Sequence, residues 1–182
     1  MRNIHPTVFV GIIIEFSVGT MKKISVILHF FSVVFLLASC ATSKQARISK
    51  RTIDGKWKLQ TVTTQGVTAG QVKIQLFNEA DYNCFTGGDW SFNARNNLGT
   101  YTTTNSAGCS SLTRDFRWSI YENGADPLSL QFKRLDANLK PMDNGDGFRL
   151  EIIQLDNNNM QLRSTVLFEN RQVNVIYNFV RM

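Results

Sequence analysis

From residue 57 onward, apolar and polar side chains alternate in short runs, and the segments between runs are rich in Asn, Asp and Gly. Val72, Ile74 and Leu76 face one way against Lys73 and Gln75; Phe116, Trp118 and Ile120 oppose Arg117 and Ser119; Leu128, Leu130 and Phe132 oppose Ser129, Gln131 and Lys133. A period of two puts each set on one face of a strand, so these runs read as β-strands with one buried and one wet face. The predicted strands are 57–64, 72–78, 89–94, 99–104, 115–121, 128–135, 148–155, 160–168 and 173–180. No long stretch here shows apolar residues at helical spacing. Tight turns such as 95–98, 156–159 and 169–172 join neighbouring strands, which makes the sheet antiparallel. So many short strands predict an all-β, up-and-down β-barrel of about eight strands, which closes its own edges; a β-sandwich is the alternative.

Upstream the pattern changes. Residues 1–39 are poor in acids and hold two apolar runs, 8–16 and 24–37. Met21, Lys22 and Lys23 form a basic start, 24–37 an apolar stretch, and Leu37, Ala38 and Ser39 a cleavage context, which is the order of a secretory leader. The run falls short of the ~20 apolar residues that cross a ~30 Å hydrocarbon core, so a cleaved leader is expected over a membrane span. The first run is shorter and interrupted by Glu15, so translation is expected at Met21, with 1–20 untranslated and 21–39 the signal peptide; a start at Met1 stays open. Residues 40–52 are polar, basic and without aromatics, and are expected to be a flexible tether to a domain spanning 53–182.

Leu37-Ala38-Ser39-Cys40 resembles the lipobox of bacterial lipoproteins. That resemblance implies cleavage before Cys40 and a lipid on its thiol, which is ample for stable anchoring at ~0.8 kcal/mol per buried CH₂. Ala41 after the cysteine implies the outer membrane. A periplasm-facing position is expected, with surface exposure second.

Cleavage there changes the chemistry available. Both histidines, His5 and His29, lie in the leader, so the expected mature chain has none. This removes Ser-His-Asp and Cys-His nucleophiles, histidine acid–base work and imidazole zinc sites. Arg2, Lys22 and Lys23 leave with the leader, and the remaining basic bias has no cluster beyond Lys50-Arg51, so no nucleic-acid partner is expected.

Two of the three cysteines remain to be placed. A turn at 95–98 sets Phe92 opposite Tyr101 and Trp90 opposite Thr103, and the same register extended puts Cys84 opposite Cys109. In an oxidising compartment that favours a disulfide, tying a hairpin end that Gly87 and Gly88 would let splay.

Gly55-Lys56-Trp57, just before the first strand, resembles the lipocalin G-x-W signature, in which the tryptophan closes the barrel floor. The stretches LFNEADYNCFTGGDWSFN, GTYT, FRWSI and VIYNFVR are similar to lipocalin-like lipoproteins of Bacteroidetes-type bacteria. The resemblance implies a small calyx-like barrel, a lipid anchor and no established reaction. It also implies an arginine from a late strand over Trp57, which Arg163 or Arg181 can supply.

The candidate sites follow. Gly55 and Trp57 form the barrel floor; Trp90, Phe92, Tyr101, Trp118 and Tyr177 are candidates to line a cavity, since aromatic rings give large apolar contact at low entropic cost. The same rings also suit simple core filling. The acids of DNGDG (143–147) lack calcium-loop spacing and read as an exposed turn; Glu79 and Asp81 read as solvated residues past a strand end. No catalytic residue, metal or cofactor is expected. The expected function is binding of a small apolar or amphipathic ligand near the membrane; the alternative is a filled barrel docking to another envelope protein, and an enzyme is the weakest reading.

Overall fold

The computed structural model describes residues 43–67, 74–106, 108–168 and 170–182. The leader, Cys40, Val72 and Lys73 lie outside the described residues. The barrel belongs to the compact unit Thr42–Met182.

That unit opens with a helix where a flexible tether is expected. Helix α1, Lys44–Ile53, starts at Ser43, whose Oγ accepts from the Ala46 amide at 3.0 Å, and carries Lys50 and Arg51 in its last turn, where the helix dipole favours cations. Ala46, Ser49 and Ile53 share one face and are buried. Two of those three are small, so the sequence shows no apolar stripe. The helix contacts β6 (Thr113–Tyr121) and β8 (Phe148–Leu155), defined below, and covers one end of the barrel. Among the described residues no helix is long and apolar enough to cross a membrane.

Strands β1 (Gly55–Gln65), β4 (Asp89–Asn93), β5 (Leu98–Thr102), β6, β7 (Ser129–Arg134), β8, β9 (Asn159–Phe168) and β10 (Arg171–Arg181) form a closed barrel. Every neighbouring pair is antiparallel, in the order β1-β10-β9-β8-β7-β6-β5-β4. The expected 72–78 strand is not among its staves. Instead β2 (Gln75–Leu76) and β3 (Ala80–Asp81) make a small hairpin within the β1–β4 connection. Phe77 and Asn78 have φ of 52° and 51°, so the chain reverses where the alternating pattern suggested it would continue.

The β4–β5 register also differs from expectation. Trp90 faces Tyr101 and Phe92 faces Gly99, two residues from the predicted pairing. The turn begins at Asn93, whose Oδ1 accepts the Arg95 amide at 2.9 Å, and Asn97 takes the left-handed φ of 61°. A slip of two preserves which side chains face inward, so the burial pattern survives it. Gly99 fits this register for a reason: a Cβ there would lie 2.4 Å from the Phe116 ring.

Candidate functional site

The floor is built by α1, β1 and β10. Trp57 is fully buried and its Nε1 donates to the Ile53 carbonyl at 2.8 Å. Arg181 is the late-strand arginine over it, with its guanidinium carbon 4.2 Å from the ring centre. The same guanidinium donates to the carbonyls of Asn157, Asp54 and Thr52. Gly55, at φ +118°, makes room: a Cβ would sit 2.7 Å from an Arg181 nitrogen. Arg163 does other work, bonding Glu151 across the outer face of β8 and β9.

All five candidate lining residues face the interior. Trp90 stacks on Tyr101 at 4.9 Å and lies 6.1 Å from Phe92, and Phe92 meets Trp118 edge-on at 5.3 Å. Tyr177 hydrogen-bonds Ser164 at 3.0 Å, and burial pushes its hydroxyl pKa up to about 12. Between them sits a residue the sequence reading did not single out. Phe77 lies 5.0–6.3 Å from the rings of Phe85, Trp90, Tyr101, Phe132, Phe148 and Tyr177. It comes from the β2–β3 turn, so a loop, not a strand, fills the middle of the barrel. The Trp90 indole N–H is buried in this cluster without a hydrogen-bond acceptor.

Two residues beyond Phe77, Glu79 fixes the loop to the barrel. Arg114 from β6 donates through Nε and Nη2 to its two oxygens at 2.9 and 2.8 Å. Arg134, the last residue of β7, adds a bond of 2.7 Å, and the Tyr101 hydroxyl one of 2.9 Å. Arg134 turns its other nitrogens to Asp143 at 2.8 and 2.5 Å and is 5% exposed. Burial alone would raise the Glu79 pKa, but bonds from Arg114, Arg134 and Tyr101 outweigh it and lower the value to about 2. Burial and then the bond to the Glu79 carboxylate push the Tyr101 hydroxyl well above its usual range, against the nearby Arg134 and Arg114 charges, which pull it down. The readings of Glu79 and Asp143 as solvated are thus corrected: both are partly buried counterions, with side chains 10% and 13% exposed. Asp81 caps the short 3₁₀ turn Tyr82–Cys84 through the Asn83 amide.

A covalent tie lies on the same loop. Cys84 and Cys109 form a disulfide between the β1–β4 and β5–β6 connections. The pairing matches expectation, although the cysteines lie beyond the ladder rather than opposite each other within it.

Among the described residues no group of three or more His, Cys, Asp or Glu could hold a metal ion. No curated protein matches the chain. A lipocalin-like protein from Bacteroides uniformis ATCC 8492 matches at 12% identity and a TM-score of 0.42, covering 72% of this chain and 99% of its own. Bovine odorant binding protein, in complex with a selenium-containing odorant, matches at 9% identity and 0.38, covering 78% of each chain. Residues 53–162 match the lipocalin-like domain family, and the chain belongs to it.

Proposed function

We propose that this chain is a lipid-anchored envelope protein whose barrel takes up a small apolar or amphipathic molecule when the β1–β4 loop lifts. The observation that carries the reading is Phe77. A bulky residue at left-handed φ is strained by roughly 1–3 kcal/mol, yet here it fills the ring-lined centre of the barrel, where an interior guest would sit. The unpartnered Trp90 N–H beside it offers a donor to a guest with a single acceptor. Closure by Phe77 sets the affinity: each 1.4 kcal/mol that favours the closed loop weakens binding tenfold. The anchor rests on Cys40 and its leader.

The competing reading is a filled barrel that docks to another envelope protein, favoured by the same ring packing. Titration with N-phenyl-1-naphthylamine separates them. Wild type should bind the probe saturably and quench tryptophan emission, and Phe77→Ala should bind at least tenfold tighter. No saturable binding by wild type, together with a clean unliganded mass when the protein is taken from its own envelope, would favour the filled barrel.

A further inference from the structure

Across the outer face of the barrel, opposite charges on neighbouring strands are paired. Lys58 pairs with Asp89 at 2.6 Å, directly across β1 and β4, and Arg163 with Glu151, directly across β9 and β8. The face of β6, β7 and β8 breaks that rule. Arg117 lies directly opposite Lys133, and like charges so placed are destabilising. Among the described residues neither has an acid within 4.0 Å.

We propose that this face is a second binding site, separate from the barrel interior, for a phosphate-class oxyanion. Trp118 and Phe132 point inward, so Arg117 and Lys133 point outward by strand alternation. Arg149 joins them from β8, opposite Gln131, and its guanidinium sits 3.5 Å from the centre of the Tyr121 ring, which orders it. Gln131 in turn is held by Ser119 at 2.9 Å. These side chains border an open cleft of about 580 Å³, a size suited to a small molecule. Gly147 keeps part of it clear, because a Cβ there would lie 3.1 Å from Lys133 Cγ and 3.0 Å from the Phe132 carbonyl. Asp146 also borders the cleft, leaving three cations to one acid. Guanidinium forks beside an ammonium match an oxyanion carrying more than one charge better than a monovalent ion.

The same chemistry fits a free phosphate compound or a phospholipid headgroup, and calorimetric titration of the purified chain distinguishes them. Inorganic phosphate and dihexanoylphosphatidylglycerol, kept below its micelle concentration, serve as the two probes. Salt-sensitive binding of either supports the site, and a clear preference identifies the source. The double variant R117Q/K133Q should weaken binding at least tenfold. Gly147→Ala should weaken it severalfold with charge unchanged, whereas Lys56→Gln on β1 should leave it as it is. Absence of binding by both probes, or equal binding by wild type and both cleft variants, would overturn the proposal.

Discussion

At the scale of single residues, burial and hydrogen bonding pull the Glu79 carboxyl in opposite directions. Its side chain is 10% exposed, and the fall of its pKa from 4.5 to about 2 is worth roughly 2–3 kcal/mol after allowance for residual screening. The folded state holds the carboxylate charged where the unfolded chain already takes up a proton. That stability is therefore complete above about pH 4.5 and is lost as the pH falls towards 2. Glu79→Gln should be less stable than wild type by about that amount at pH 7 in urea titrations, with the gap closing near pH 2. A gap of constant size across that range would mean the ion pairs contribute little. The sequence did carry a signal for this cluster. Arg114 and Arg134 continue the inward parity of Phe116 and Phe132, and an arginine on an apolar face needs a buried acid. What alternation cannot supply is which acid, since Glu79 comes from a loop. The choice of Arg181 over Arg163 was closed for a similar reason: both sit on late strands, and only the register decides which ends beside Trp57.

At the scale of elements, strands were legible because their burial is periodic, and the two misread elements fail for different reasons. Helix α1 buries only Ala46, Ser49 and Ile53, too little apolar surface to stand out in a polar segment. In 72–78 the alternation of Ile74 and Leu76 is real, and both are buried, but they pack beneath a loop. The contacts that hold the β1–β4 connection include the Glu79 ion pairs, the Arg134 bond to the Asn78 carbonyl and the Cys84–Cys109 disulfide, with Phe77 ahead of all three. The disulfide closes a loop with a sequence separation of 25, for which chain entropy predicts ~3.5 kcal/mol. Cys84→Ser/Cys109→Ser should lower Tm by about 10 °C in thermal scans, and dithiothreitol should reproduce the loss in wild type but leave the variant unchanged. If naphthylamine binding also strengthens in the variant, the tie contributes to closure as well as to folding. Unchanged probe affinity would confine closure to the Glu79 contacts and Phe77.

For the whole molecule, α1 gives the proposed anchor a direction. A lipid on Cys40 leaves only residues 41–43 before Lys44, a reach of roughly 14 Å at full extension. Helix α1 sits at the floor end, beside Trp57 and Arg181, and the Phe77 loop closes the opposite end. The exposed residues of α1 include Lys44, Arg47 and Arg51, which are attracted to anionic headgroups. The floor should therefore face the bilayer and the loop end should face away, leaving the opening free for a guest arriving from solution. Single cysteines at Gln45 and Gln172, each carrying a nitrobenzoxadiazole label on the lipidated chain, test this with doxyl-lipid vesicles. Quenching should be strong at the Gln45 position and weak at the Gln172 position, and Cys40→Ser should release the protein from membranes. Equal quenching at both positions with anchoring intact would mean that the barrel lies on its side, and continued membrane partitioning of Cys40→Ser would remove the lipid anchor itself.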